Sequence, residues 1–221
     1  MIPRNAKVTI MWLLIVCSLS IFANLTIFKY GMSKTREVSA KLGSIVRLIK
    51  DGRTFCTGTV VNDHTIITAS HCILIRTPFG SLIDEDPIEI RVDDNLPLGV
   101  FAKPYSARVR LDQALLEGDF KLFKPRAILT DIGKLNQYAD KGTYMKACGY
   151  PLGGNLYCST MYFDELYDFM WSVNGLLLPG MSGGPVMLRD GTVVAVNVAV
   201  EHDKSIVSPI YNIDEGFKEK K

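Results

Sequence analysis

The sequence has few of the features that mark metal-binding, nucleotide-binding or disordered proteins. Its 221 residues include only 3 His and 10 Pro, with no Cys-x-x-Cys pair and no glycine-rich loop of the phosphate-cradling type. Sustained helical periodicity is also missing. We therefore expect no metal and no cofactor. The composition, 48% hydrophobic and 22% charged, predicts one folded domain or two small ones.

Charge of one sign is missing from the start of the chain. Residues 1–35 hold four cations and no acid, whereas the remainder carries 21 basic and 23 acidic residues. The formal net charge of +2 therefore comes from the N-terminal end alone. Because the rest has no basic excess, no nucleic-acid partner is predicted.

One long apolar run lies near the N-terminus. From Val8 to Phe28 there are 21 residues without a charge, bracketed by Lys7 and Lys29. A helix of that length spans about 30 Å, the thickness of a bilayer core. We expect an N-terminal apolar helix that acts as an uncleaved signal anchor in a membrane. A cleaved signal peptide, leaving a secreted protein, is the alternative.

Four cysteines follow this segment, Cys56, Cys72, Cys148 and Cys158. The even number without zinc-type spacing predicts two disulfides, and four reduced buried cysteines are the alternative. Disulfides persist in oxidising compartments, so the globular part is expected outside the cytoplasm, in a periplasmic or extracellular space.

Short β-branched runs separated by turn residues fill the chain beyond residue 36. Such runs cover residues 44–50, 55–61, 65–68, 143–148, 156–163, 170–173, 185–188 and 192–200. Asp51-Gly52 and Asp190-Gly191 fall between neighbouring runs, as in tight hairpins. The pattern is typical of an all-β protein.

The first motif with chemical content begins Cys56-Thr-Gly-Thr and ends Thr-Ala-Ser-His71-Cys72. It resembles the CxG(S/T)…TAxHC segment of the chymotrypsin-like (trypsin-fold) serine proteases. The resemblance implies that Cys56 and Cys72 are bridged and that His71 is a general base. An imidazole suits that role because it takes up and returns a proton near neutral pH. A surface histidine beside a structural disulfide is the alternative.

The second motif, Gly180-Met-Ser182-Gly-Gly-Pro185, resembles the GxSGGP loop of the same family. The resemblance implies that Ser182 is the nucleophile and that the amides of Gly180 and Ser182 form an oxyanion hole. A glycine-rich turn with an ordinary serine is the alternative. An α/β-hydrolase would need an acid and then a histidine after the serine, whereas His71 lies far upstream and fits the order His, Asp, Ser.

The acid of the expected triad is assigned to Asp119. The stretch Gly118-Asp-Phe-Lys-Leu-Phe123 resembles the family's D(I/L)ALL segment, in which an aspartate opens a strand. Asp112 is the rival, and a solvated loop acid without a catalytic role is the third possibility.

The resemblance extends over about residues 40–215 and is strongest to the bacterial HtrA/Deg-type branch. It implies two six-stranded antiparallel β-barrels, one over about residues 36–125 and one over about 126–215, after an N-terminal segment of residues 1–35. Met181 stands where zymogen-activated trypsins have an aspartate, so activation by N-terminal cleavage is not expected. The sequence stops at Lys221 without a PDZ domain, so regulation through one is not expected either.

The resemblance also places the substrate pocket at Leu176, Asn197 and Val198. None of these is an acid that could receive Lys or Arg, so we expect preference for small or medium apolar side chains. The resemblance matches Cys148 and Cys158 to no family disulfide, and a local bridge across a hairpin is the simplest expectation.

The sequence thus predicts a serine endopeptidase acting on proteins or peptides through a Ser-His-Asp triad and an acyl-enzyme. An inactive pseudoprotease that serves as a binding module is an alternative, because nothing visible in the sequence replaces the salt bridge lost at Met181. An esterase using the same triad is another.

Overall fold

The computed structural model of the chain describes residues 43–92, 99–123, 127–201 and 203–210. Their regular structure is β-strand and short 3₁₀ turns, which confirms the all-β prediction. The strands are β1 (Ile45–Lys50), β2 (Arg53–Val60), β3 (Thr65–Thr68), β4 (Leu74–Thr77), β5 (Gly80–Ile83), β6 (Ile88–Arg91), β7 (Phe101–Arg108), β8 (Gln113–Gly118), β9 (Ile128–Leu129), β10 (Tyr144–Gly149), β11 (Tyr157–Tyr167), β12 (Met170–Asn174), β13 (Pro185–Met187), β14 (Thr192–Glu201) and β15 (Lys204–Pro209).

The first barrel closes in the order β1-β2-β3-β8-β7-β6, with antiparallel neighbours throughout. Alternate residues of its strands point inward, because side chains in a strand alternate between two faces. The interior contains Val46, Leu48, Ile66 and Leu116, all fully buried. Burial of these branched side chains is the main contribution to the barrel's stability.

The second barrel runs β13-β10-β11-β12-β15-β14 and closes through pairing of β13 with β14. Strand β9 adds to β14 in parallel outside this ring. Trp171 is 3% exposed and meets the Phe163 ring edge-on, with centroids 5.6 Å apart. The prediction of two six-stranded antiparallel barrels is therefore confirmed.

A third apolar cluster joins the two barrels. Ile45, Ile67 and Leu115 of the first barrel pack in it with Tyr150 and Val196 of the second. The Tyr150 hydroxyl donates to the carbonyl of Ile45 at 3.1 Å, so the polar end of this buried ring is satisfied. This contact fixes the two barrels side by side.

Strands β4 and β5 form a hairpin that pairs with no other sheet among the described residues. The hairpin follows directly on the 3₁₀ turn Ser70–Cys72, and the sequence runs given above did not include it.

The apolar run at residues 8–28 lies outside the described residues, so the expected N-terminal helix remains a prediction. Within the described residues, no helix has the length and apolar character needed to cross a membrane.

Candidate active site

A cleft of about 740 Å³ opens between residues of the two barrels. Its lining includes His71 and Asp112 from the first barrel, and Pro179, Ser182 and Val198 from the second. His71 and Ser182, which the two sequence motifs identified, thus line the same cavity although they are 111 positions apart in the chain.

The Asp112 carboxylate accepts three hydrogen bonds, two from His71 and one from Ser70. Its Oδ2 lies 2.6 Å from His71 Nδ1, and its Oδ1 accepts from the His71 amide at 2.9 Å and from Ser70 Oγ at 2.6 Å. A carboxylate only accepts, so Nδ1 carries the ring proton. The neutral ring therefore presents Nε2 as its basic nitrogen.

Burial and hydrogen bonding act in opposite directions on Asp112. Its side chain is 13% exposed, and this burial by itself raises the pKa of the carboxyl. Hydrogen bonds and charge from His71, with the Ser70 hydroxyl, outweigh burial, so the pKa of Asp112 lies below its ordinary value. Asp112 is therefore an anion at neutral pH.

The expectation that Asp119 lies against the imidazole is wrong. Its carboxylate is 68% exposed, 3.5 Å from Lys121 Nζ. The pKa of Asp119 is lowered by the Lys121 amide and ammonium, not by His71. The antiparallel pairing of β3 and β8 explains the placement, because it sets Thr68, just before the histidine turn, opposite Ala114.

Asp112 precedes the first residue of β8, and Asp119 follows the last. At about 3.3 Å per residue the two acids stand about 23 Å apart, at opposite ends of the strand. A signal for the right choice was present, since Asp112-Gln-Ala-Leu-Leu116 resembles the D(I/L)ALL segment better than the stretch at Asp119.

The loop that carries Ser182 depends on glycine at two turns. Gly180 has φ +92°, and an added Cβ would lie 2.6 Å from the Tyr150 carbonyl oxygen. Gly183 has φ +83°, and its Cβ would lie 2.2 Å from the carbonyl oxygen of Thr57. Only glycine fits such contacts at positive φ.

The Ser182 hydroxyl donates to the carbonyl of Val198 at 3.2 Å. The amides of Gly180 and Ser182 have no backbone acceptor within the described part of the chain. These are the two amides that were expected to form the oxyanion hole. That they bind an oxyanion remains a prediction.

Two buried residues, Thr57 and Asn197, support the Ser182 loop. The sequence reasoning did not give either of them this role. Thr57 donates from Oγ1 to Gly180 O at 2.7 Å, and its amide donates to Ser182 O at 2.8 Å. Asn197 Nδ2 donates to Cys148 O at 3.0 Å and to Met181 O at 3.1 Å. The buried Met181 side chain packs in the core of the second barrel. Hydrogen bonds and packing thus hold the loop where zymogen-activated trypsins use an ion pair.

We expect Thr57→Val to lower the free energy of unfolding by about 1–3 kcal/mol, because the half-buried Gly180 carbonyl and the buried Tyr150 amide lose the hydroxyl. Thr59→Val is the matched control. Thr59 lies on the same strand, fully buried, and its hydroxyl has no partner within the described residues. Denaturant unfolding of both variants measures the difference, and equal losses would contradict the support role of Thr57.

Both expected disulfides are present. Cys56 and Cys72 join β2 to the 3₁₀ turn of His71, and Cys148 and Cys158 stand directly opposite each other on β10 and β11. His71 lies near the sulfurs of Cys56 and Cys72, but bridged sulfurs are not the thiolates that bind metal.

The expected pocket residues fall in three different places. Val198 lines the cleft, whereas Leu176 is 54% exposed and does not, its place being taken by Leu177 and Leu178. Asn197 is fully buried and serves the loop instead. On the side of the cleft formed by residues 177–178, the lining thus lies one or two residues beyond the expected Leu176.

Two closed barrels with this serine, histidine and aspartate on one cleft define the architecture of a chymotrypsin-like serine protease. The family model described as the trypsin-like peptidase domain matches residues 56–196. The chain belongs to the trypsin-like peptidase family. No curated protein sequence matches the chain.

Solved structures of HtrA-type and related proteases are similar in fold. An inactive form of the Rv3671c protease from M. tuberculosis is 20% identical with TM-score 0.60, covering 78% of this chain and 86% of that one. The Yersinia pestis serine endoprotease is 16% identical with TM-score 0.62, covering 79% and 61%. The HtrA-type protease AlgW with a decapeptide is 14% identical with TM-score 0.60, covering 78% and 62%.

Proposed function

We propose that the protein is a serine endopeptidase in which Ser182 is the nucleophile, His71 the general base and Asp112 the orienting acid. The observation that carries this proposal is the hydrogen-bonded His71–Asp112 pair on the cleft that Ser182 also lines. The family membership supports the hydrolytic class, and the residue roles rest on the geometry.

In the proposed reaction the Ser182 hydroxyl turns from Val198 to His71 by rotation about its Cα–Cβ bond. Nε2 takes the hydroxyl proton as Oγ bonds to the substrate carbonyl carbon. The tetrahedral intermediate collapses when His71 gives that proton to the leaving amine, which leaves an acyl-enzyme. Water, deprotonated by His71, then releases the acid and restores Ser182. Asp112 stabilises the imidazolium formed in each step.

The amides of Gly180 and Ser182 would donate to the oxyanion of each tetrahedral intermediate. The peptide units that carry these two amides are held through their carbonyls, because Pro179 O accepts from the Leu152 amide at 2.7 Å and Met181 O accepts from Asn197 Nδ2 at 3.1 Å. The loop backbone therefore does not have to reorganise during the reaction. Preorganised donors of this kind contribute about 3–4 kcal/mol each to transition-state stabilisation.

The free edge of β14 would bind the substrate backbone. Val196 is the last residue of β14 that pairs with β13. Among the described strands, Ala199 and Val200 pair only with β15. Residues 198–200 also line the cleft. An extended peptide can add to such an edge by main-chain hydrogen bonds, which favours polypeptide over small-ester substrates.

An apolar side chain next to the cleaved bond fits the wall beside Ser182. Leu177, Leu178 and Val198 supply apolar surface there. Asp112 is the single acid among the described residues of the cleft, and it is bound to His71. No carboxylate is therefore left for a Lys or Arg of the substrate.

We also propose that the protease domain works outside the cytoplasm, tethered by residues 8–28. The two disulfides support an oxidising compartment.

A fluorophosphonate probe, which bonds covalently to an activated serine, tests the proposal. We expect labelling of the wild-type protein at Ser182 by mass spectrometry, blocked by prior heating, together with cleavage of denatured protein or peptide libraries. Absence of labelling in folded protein would overturn the enzyme proposal in favour of the binding module. Labelling with cleavage of esters but of no peptide would assign an esterase.

A further inference from the structure

The β4–β5 hairpin presents two chemically different faces. Residues paired across an antiparallel hairpin share a face, so Ile75 and Leu82 lie on one side, and Arg76 and Ser81 lie on the other. Arg76 and Ser81 line the cleft, whereas Ile75 and Leu82 do not. The hairpin therefore extends the cleft wall beyond His71 and places a guanidinium on it.

Arg76 has no acidic partner within the described part of the chain. Two of the three acids that follow the hairpin are engaged elsewhere, since Lys50 pairs with Asp84 and, at 3.0 Å, with Asp86. The third hairpin residue that lines the cleft, Leu74, is apolar. Arg76 is exposed, and no charge among the described residues neutralises its guanidinium.

The rest of the cleft makes this charge conspicuous. Apart from Arg76 and the mutually bound His71 and Asp112, every described residue of the lining is uncharged. Arg76 consequently dominates the electrostatic selection of any side chain that enters the cleft away from Ser182.

We propose that Arg76 is a specificity-determining residue that binds the carboxylate of an Asp or Glu in the substrate. In the substrate, this acidic residue would lie near the residue whose side chain contacts the apolar wall beside Ser182. It would not contact that wall itself. The guanidinium fork matches a carboxylate with two parallel hydrogen bonds. This inference rests on the proposed use of the cleft for polypeptides, and its test does not require catalysis.

The test compares peptide binding by Ser182→Ala with binding by Ser182→Ala combined with Arg76→Gln. A randomised peptide library is selected on the first protein. We expect Asp or Glu to be enriched at one position, and Glu→Gln there to weaken binding about three- to ten-fold, within the range of solvent-accessible ion pairs. The penalty should shrink at high salt, because mobile ions screen the pair.

Arg76→Gln should abolish that penalty, and Arg76→Glu should reverse the selection toward Lys or Arg at the same position. Arg53→Gln is the control, since Arg53 is an exposed arginine at the start of β2 outside the cleft lining. Circular dichroism confirms that each variant is folded.

Three outcomes overturn the inference: no acidic enrichment, an acidic preference that survives Arg76→Gln, or equal effects of Arg76→Gln and Arg53→Gln. Failure of the enzyme proposal gives a different signature. In that case Ser182 is not labelled by the fluorophosphonate, yet the charge preference in binding still follows Arg76.

Discussion

Ser182→Ala should lower kcat for peptide hydrolysis by about 10⁶-fold, the loss typical of removing a serine nucleophile. The hydroxyl forms the acyl-enzyme, and the methyl group that replaces it cannot. The substitution is small, on a half-buried side chain whose one hydrogen bond goes to Val198. We expect the fold to persist. Steady-state hydrolysis of a peptide substrate measures the loss, with the wild-type active-site concentration set by fluorophosphonate titration.

Ser81→Ala provides the matched control within the same cleft. Ser81 also lines the cavity, but it lies on the β5 strand of the hairpin, outside the Gly180–Pro185 loop, and has no role in the proposed reaction. Its replacement should change kcat by less than about two-fold, as is usual for surface substitutions that remove no buried bond. Comparable losses in the two variants would remove Ser182 from the role of nucleophile.

Asp112→Asn should lower kcat by about 10⁴-fold, the effect of amide replacement at a triad aspartate. An amide can donate to Nδ1, which would shift the ring proton to Nε2 and leave no base for the Ser182 proton. Asp119→Asn should leave kcat within about two-fold, since that carboxylate is exposed and bound to Lys121. The reverse ranking would restore Asp119 as the catalytic acid.

Stability should also depend on pH through Asp112. Its pKa is lowered in the folded chain, so its contribution is present above the unfolded value of about 3.9 and is lost as pH falls through the lower folded value. The difference in unfolding free energy between wild type and Asp112→Asn should therefore shrink between about pH 5 and pH 2. A constant difference, measured by denaturant titration across that range, would contradict the lowered pKa.

The acid was the point at which sequence reasoning failed, and the cause is the geometry of one strand. Asp112 and Asp119 stand directly before and directly after strand β8. In the sequence, each is an aspartate next to the same strand-like run. Which end meets the histidine is set by the register of β8 against β3, where Thr68 faces Ala114. Register depends on pairing between distant segments, so local similarity to a motif does not settle it.

The support of the Ser182 loop has the same origin. Thr57 lies 123 positions from Gly180, and a threonine inside a β-branched run reads as an ordinary strand residue. The family resemblance assigned Asn197 to the substrate pocket, whereas its side-chain amide donates to the carbonyls of Cys148 and Met181. Neither role leaves a local sequence signal, because each contact is made between separate strands.

The sequence by itself determined what short segments encode: the strand runs, the histidine and serine motifs, and the four paired cysteines. Each depends on alternation or on residues that are neighbours along the chain. The tertiary structure decided which aspartate meets His71, what holds Met181 in place of an ion pair, and which wall faces the substrate. Those features arise only when the two barrels close and pack, since closure fixes the register and the strand ends that a linear pattern leaves open.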